Sequence, residues 1–196
     1  MTRWSPSIVG VAVACWAMWS VNAGAIAAPV QQKVNPDAQL QQDFKKRVDE
    51  YLELHKRLEK HGPPLKKKED PATIKASQEA LAKSIRAARA TAKQGELFTP
   101  EIAKLFRRLM YPEVKGPDAA ATKKILKEDA PPPAAIPLKV NAEYPDSAAL
   151  PTVPPNLLAN IPQLPEELEY RIVGKNLILR DVHANIIVDY IPQAIQ

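Results

Sequence analysis

Three histidines are the first candidates for chemistry, because a neutral imidazole is the commonest protein ligand for transition metals. They are His55, His61 and His183. Six residues separate the first two, and on a helix this is a rotation of about 240°, so they do not face one ion. His55 and Glu59 lie four residues apart and share a helix face, yet two ligands are too few for a structural zinc site. The pattern favours a solvated His–Glu pair and predicts no metal centre and no cofactor.

Two aspartates near the C-terminus are the second candidates, since paired carboxylates can divide general acid and base roles. Asp181 and Asp189 lie in neighbouring β-rich runs, and Arg171 and Arg180 are close enough in sequence to act as their counter-ions. No nucleophile motif or phosphate-binding loop accompanies them, and the chain holds only 6 glycines. We therefore expect structural ion pairs, no catalytic residue and no enzyme. A hydrolase that uses both aspartates is the least favoured alternative.

Clusters of basic residues raise the question of nucleic-acid binding. They lie at 45–47, 66–68, 107–108 and 123–124. Acidic residues interleave with the first two clusters, the net charge is only +5, and aromatic residues make up 6% of the chain. This composition leaves little for base stacking. The clusters indicate solvated helix faces and no nucleic-acid partner, while weak attraction to anionic envelope lipid is an intermediate alternative.

The N-terminus predicts the compartment. Residues 1–27 have the layout of a secretory signal peptide, with an apolar run at 8–19 and small residues up to a cleavage site after Ala27. An uncleaved anchor over 8–28 and a lipoprotein cleaved before Cys15 are the alternatives. Cleavage after Ala27 removes the only cysteine, so the mature chain would have neither a disulfide nor a thiolate ligand. We expect a periplasmic or secreted protein.

Four segments between residues 28 and 130 have helical patterns bracketed by capping residues, prolines and glycines. We expect helices from Pro36 to His61, from Asp70 to just before Gly95, from Thr99 to Tyr111 with Pro112 as its stop, and from Asp118 to just before Asp129. Short connections favour antiparallel packing into a helical bundle. The first helix has a narrow apolar stripe, so it either lies along the domain or pairs with another helix, and a homo-oligomer through helix 36–61 is one outcome.

Prolines set the next segment apart, since ten of the 20 prolines in the chain lie between residues 131 and 165. Proline lacks an amide donor and fixes its backbone angle, so neither a long helix nor a central strand can form there. Apolar residues recur regularly between the prolines, and linkers usually lack such anchors. Residues 131–168 are therefore expected to form an extended wrap, with a disordered linker as the alternative.

Three β-rich runs end the chain, at 169–173, 177–182 and 186–191. Gly174 and Asn185 lie in the two intervals, and both residue types tolerate the left-handed backbone that three-residue hairpin loops require. We expect an antiparallel three-stranded meander over 169–196. A three-residue second loop places Arg180 opposite Val188, whereas a two-residue loop places it opposite Asp189, and both registers remain open.

The same tail carries a resemblance. Leu164 to Asp181 reads LPEELEYRIVGKNLILRD, and Ala184 to Asp189 reads ANIIVD. This pattern resembles the end of an uncharacterised family of exported bacterial proteins whose chains close on an LPxLPxxLEYR…AN…D β-module. A shorter part of it is similar to the C-terminal β-module of a periplasmic family linked to nickel and cobalt homeostasis. The second resemblance implies a metal-homeostasis accessory protein.

These observations predict an α+β protein with a helical bundle, a proline-rich extended segment and a C-terminal three-stranded antiparallel meander. Six residues of the meander are expected to have interaction or structural roles: Tyr170, Arg171, Arg180, Asp181, His183 and Asp189. The favoured function is an exported, non-enzymatic envelope interaction or structural protein with an envelope protein as its partner. A periplasmic metal-homeostasis accessory protein is the alternative, and a hydrolase comes third.

Overall fold

The computed structural model describes residues 35–62, 70–117, 119–128 and 136–195. The expected signal peptide, the basic cluster at 66–68 and the first prolines of the wrap lie outside these residues. The described elements are α1 (Pro36–Glu59), α2 (Pro71–Ala88), α3 (Pro100–Lys115), α4 (Ala119–Glu128), α5 (Pro155–Asn160), β1 (Leu168–Val173), β2 (Asn176–Asp181) and β3 (Ile186–Ile191). The fold is α+β, with the helices first and an antiparallel sheet of order β1-β2-β3 at the end. In this part of the chain, no helix combines the length and the apolar character needed to cross a membrane.

The first three helices begin where their capping residues predict. The side chains of Asn35, Asp70 and Thr99 accept hydrogen bonds from first-turn N–H groups of α1, α2 and α3, and each helix has a proline in its first turn. These caps satisfy donors that would otherwise lack a partner, and a first-turn proline loses no helical hydrogen bond.

α1 ends at Glu59, slightly before the predicted His61, and two other helix ends differ more from the prediction. α2 ends at Ala88 rather than just before Gly95, because Arg89 turns inward and donates to the carbonyl of Val188 at 3.3 Å. α3 does not stop at Pro112 but continues to Lys115. Proline in a helix removes one hydrogen bond, and here the last turn closes nevertheless, since Gly116 N–H donates to the Pro112 carbonyl at 2.8 Å and Val114 is buried.

The sheet has the helices on one face and residues 136–148 of the wrap on the other. Its first face joins one large core with α1, α2, α3 and α5, whose central members include Phe44, Ile85, Phe106, Leu157 and Leu179. The apolar stripe of α1 therefore packs inside the core of its own chain. A smaller cluster covers the opposite face and contains Ile136, Tyr144, Val173, Ile178 and Ile187.

The wrap also continues the sheet. Asn141 N–H donates to Ile187 O, and Ile187 N–H donates to Ala142 O, both at 2.8 Å. Tyr144 N–H donates to Asn185 O at 2.9 Å. These bonds cover the outer edge of β3, which leaves fewer unpaired backbone groups on that side of the sheet.

Both turns of the meander differ from the predicted three-residue loops. Val173 pairs with Asn176, so Gly174 and Lys175 form a two-residue turn in which Gly174 has a φ of 61°. Between β2 and β3, Leu179 pairs with Asp189, but a bulge follows and Arg180 pairs with Ile187. Neither register expected for Arg180 is therefore right. The bulge inserts one extra residue, as such irregularities do, and the carbonyl of that residue, Val188, accepts the Arg89 guanidinium.

Candidate metal centre

His55 lies on the buried face of α1. It follows Tyr51 by four residues, and its side chain has no exposed surface. The expectation of a solvated histidine is therefore wrong. Its Nδ1 lies 2.7 Å from Oδ2 of Asp181. Its Nε2 is buried and has no hydrogen-bond partner among the described residues. A buried polar atom without a partner is costly and calls for an explanation such as an ion.

Asp181 holds the inner nitrogen of His55 in place. It ends β2, is fully buried, and uses both of its carboxylate oxygens. Oδ2 accepts the Tyr51 hydroxyl at 2.7 Å in addition to His55, while Oδ1 accepts the N–H of Ala184 at 2.7 Å. In the neutral imidazole, a carboxylate on one ring nitrogen fixes the proton there and leaves a lone pair on the other nitrogen. Asp181 therefore orients Nε2 of His55 as a ligand atom.

Glu59 and His183 lie on the outer side of that nitrogen. Glu59 is one helical turn after His55, and its Oε2 lies 3.6 Å from Nε2 of His55. His183 comes from the turn between β2 and β3, and its Nδ1 lies 3.1 Å from Oε1 of Glu59. Ligand atoms of the three residues all lie within 4.8 Å of one another. The fold thus brings together two imidazoles and one carboxylate.

The separation between His55 and Glu59 fits two ligands of one metal ion better than it fits a hydrogen bond, whereas His183 and Glu59 are already close enough to hydrogen-bond. Donor atoms about 2.0–2.1 Å from a tetrahedral ion lie about 3.4 Å apart. The separation of 3.6 Å between His55 Nε2 and Glu59 Oε2 is near that value, and it is too long for a good hydrogen bond. The ring of His183 lies beside that of His55, with the two centroids 5.5 Å apart.

The electrostatic surroundings favour a cation. Burial alone would lower the pKa of His55, but the hydrogen bond and the charge of Asp181 outweigh it and raise the pKa above its usual 6.5. The same negative surroundings attract a metal ion, which must displace a proton from Nε2 when the imidazole is protonated. Burial and the neighbouring Asp181 raise the pKa of Tyr51, so its hydroxyl stays protonated and donates. Glu59 adds a second negative charge in the last turn of α1, where the helix dipole also attracts cations.

The sequence marks His183 as a candidate residue, but it does not place His183 beside His55 and Glu59. His183 is 124 residues from Glu59, and spacing along one helix cannot reveal such a partner. One signal was available in α1, because His55 falls on the apolar stripe with Phe44, Val48 and Tyr51. A histidine at a core position needs a buried polar partner.

Asp189 has a different environment from Asp181. It is fully buried and accepts N–H groups from the segment after α2: Gly95 at 2.9 Å, Leu97 at 2.8 Å and Phe98 at 2.9 Å. Gly95 presents its N–H from a backbone with a φ of 90°, which favours glycine. The two aspartates contact separate partners, and neither has a free oxygen aimed at the other.

The two arginines expected as counter-ions of the aspartates pair with Glu169 instead. Arg180 lies 2.6 Å from Glu169 Oε1 and Arg171 lies 2.5 Å from Oε2. Side chains alternate along a strand, so Arg180 and Asp181 point to opposite faces of the sheet. Arg180 also donates to Asn185 Oδ1. Tyr170, the remaining candidate, is buried and donates its hydroxyl to Pro162 O at 2.9 Å.

Comparisons with known proteins identify no relative whose site could be compared with this one. No protein-family model matches the chain, and neither a curated protein nor a solved structure is significantly similar to it.

Proposed function

We propose that this protein binds a divalent transition-metal ion in the cell envelope, with His55, Glu59 and His183 as its ligands. One observation carries the proposal. The buried Nε2 of His55 has no hydrogen-bond partner in the described residues, and it points at a carboxylate and a second imidazole. An ion would satisfy that nitrogen and neutralise the carboxylate in one step.

The chemistry of the three side chains indicates the class of ion. Imidazole and carboxylate together suit Zn(II), Ni(II), Co(II) and Cu(II), whereas Cu(I) prefers sulfur ligands. Cysteine is absent from the part of the chain that the structure describes, and the single Cys15 of the sequence lies before it. A borderline divalent ion is therefore the proposed ligand.

The proposal changes the order of the functions expected from the sequence. A role as an envelope interaction or structural protein rests on the lack of catalytic motifs, whereas the metal role rests on three side chains whose ligand atoms lie within 4.8 Å of one another. We retain the periplasmic or secreted location, and an envelope protein as the source or acceptor of the ion. The role remains non-enzymatic in this proposal, since binding alone accounts for the arrangement.

Calorimetric titration of the untagged protein with Zn(II), Ni(II) and Co(II) tests the proposal. We expect a 1:1 complex with a dissociation constant in the micromolar range or below for at least one ion. His183→Ala removes one ligand from the protein surface, so it should weaken binding by at least about tenfold without unfolding the chain.

His61→Ala is the matched control. His61 is also exposed and lies two residues beyond Glu59, but it is not part of the ligand cluster. Its loss should leave the affinity unchanged. The proposal fails if no ion binds, or if His61→Ala weakens binding as much as His183→Ala does.

A further inference from the structure

On the basis of the proposed function, we infer that the metal centre is an exchange site. The bound ion keeps a coordination position open to solvent, and a second donor, such as an imidazole or a carboxylate, binds there before the ion is transferred. Three features of the ligands favour exchange: their number, their exposure, and the packing and hydrogen bonds that hold them in place.

The described residues supply too few ligands to close the site. Borderline divalent ions take at least four ligands, and a structural zinc site is closed by four protein side chains. The cluster offers three. Two further carboxylates near His55 are already engaged, since Asp181 accepts three hydrogen bonds and Glu167 pairs with Lys56 at 3.3 Å. At least one position therefore falls to a ligand from outside this part of the chain.

The exposure of the ligands shows on which side that position lies. His55 is fully buried, whereas the side chains of Glu59 and His183 are 41% and 46% exposed. His55 would thus bind the ion from the protein interior, and the other two ligands would bind it at the surface. An incoming donor approaches from the exposed side, so His183 and Glu59 are replaced before His55.

The supporting structure does not depend on the ion. α1 is docked by Phe44, Val48 and Leu52 in the main core. The turn that carries His183 is fixed by the hydrogen bond from Ala184 N–H to Asp181. Structural zinc sites differ, because there the binding energy of the metal is the folding energy. Here the ion can leave without unfolding the site, which is what repeated exchange requires.

Each step of the exchange is a ligand substitution. The incoming donor first forms a bond to the ion at the open position, which gives a ternary complex. The bond to His183 then breaks, and the imidazole regains its lone pair or takes a proton from water. Further donor bonds replace those of Glu59 and His55 in turn. The ion stays divalent throughout, so no oxidant or reductant is needed.

Two measurements on the Co(II)-loaded protein test the inference. Imidazole or azide should change the visible Co(II) spectrum in a saturable way, because either one occupies the open position. Removal of Co(II) by EDTA should have a rate that rises in proportion to the EDTA concentration, since a ternary complex precedes release. His183→Ala, loaded at higher Co(II), should lose the ion about tenfold faster at the same EDTA concentration, while His61→Ala should match the unmodified chain.

The possible results separate the two proposals. If Co(II), Ni(II) and Zn(II) do not bind, the proposed function fails and the exchange site fails with it. If Co(II) binds, but its spectrum ignores both added ligands and its removal rate does not depend on EDTA concentration, the site is closed. That result overturns the exchange site alone and leaves metal binding intact.

Discussion

Two fully buried aspartates, Asp181 and Asp189, have opposite relationships to the rest of the molecule. Asp189 receives its hydrogen bonds from backbone N–H groups. Asp181 receives one from the backbone and two from side chains of α1, Tyr51 and His55. Both carboxylates have all their hydrogen bonds, but Asp181 also shifts the pKa of a titratable side chain, His55.

The difference shows that a buried carboxylate can either hold backbone segments together or, in addition, orient a side chain that binds something else. The backbone donors around Asp189 carry its effect no further, because a peptide N–H neither titrates nor has a second nitrogen that could bind an ion. The imidazole of His55, which contacts Asp181, has a second nitrogen, and this Nε2 lies close to Glu59 and His183. Asp189 holds two segments together, whereas Asp181 also orients a metal ligand.

Asp189→Asn should have the largest effect on stability. The amide replaces one carboxylate oxygen with an NH₂ group, which places donors opposite N–H groups that need an acceptor. We expect the free energy of unfolding to fall by about 2–4 kcal/mol, as measured by urea denaturation without added metal. Zn(II) affinity, measured where the variant is still folded, should stay within a few-fold of the original. A stability loss below about 0.5 kcal/mol would mean that Asp189 does not hold the loop.

Asp181→Asn should lower stability less than Asp189→Asn does, and it should lower metal affinity more. If the Asn amide faces His55, it donates to Nδ1 and moves the imidazole proton to Nε2, which can then no longer bind an ion. If the amide faces Ala184, that N–H loses its acceptor. We expect a loss of about 1–2 kcal/mol in stability and a decrease of about 10–100-fold in Zn(II) affinity. The contrast with Asp189→Asn is the control, and equal effects of the two variants on affinity would remove the distinction.

A positioning role for Asp181 also has a spectroscopic readout. In the folded, Co(II)-saturated variant, the visible spectrum should differ from that of the unmodified chain, because His55 is held less firmly. Asp189→Asn should leave the Co(II) spectrum unchanged. A merely structural role for Asp181 would lower stability and leave the spectrum of the saturated protein as it was.

Local signals predicted much of this fold. Asn35, Asp70 and Thr99 mark the helix starts, and capping is a contact within one turn of the chain. The strands follow from runs of β-branched and apolar residues near their observed bounds. Pro112 misled the prediction because its effect on α3 depends on the burial of Val114, which is a tertiary contact.

The site could not be derived in the same way. The hydrogen bond between His55 and Asp181 joins residues 126 apart, and the bond between Tyr51 and Asp181 joins residues 130 apart. The sequence presents each of them as an ordinary residue of its own segment. The bulge at Leu179 and Arg180 also sets which residues of the second hairpin face each other, and a single sequence leaves that register open.

Glu169 adds a third carboxylate to the comparison and should give the smallest effect. Burial would raise its pKa, but hydrogen bonds and charge from Arg171 and Arg180 outweigh burial and hold the pKa below its usual 4.5. A depressed pKa stabilises the folded state above the unfolded pKa, and this contribution disappears as the pH falls through the folded value. Glu169→Gln should therefore cost up to about 1 kcal/mol at neutral pH, as expected for a partly exposed ion pair.

The pH dependence of this ion pair gives a further test of Glu169. The difference in unfolding free energy between Glu169→Gln and the unmodified chain should be constant from neutral pH down to about 4.5 and should shrink below it, because the unmodified Glu169 is then also neutral. Urea denaturation of both proteins across this range measures the difference. A gap that widens on acidification would show that Glu169 is held by something other than its two arginines. A gap that closes would show that Glu169 stabilises the fold as the ionised partner of its two arginines.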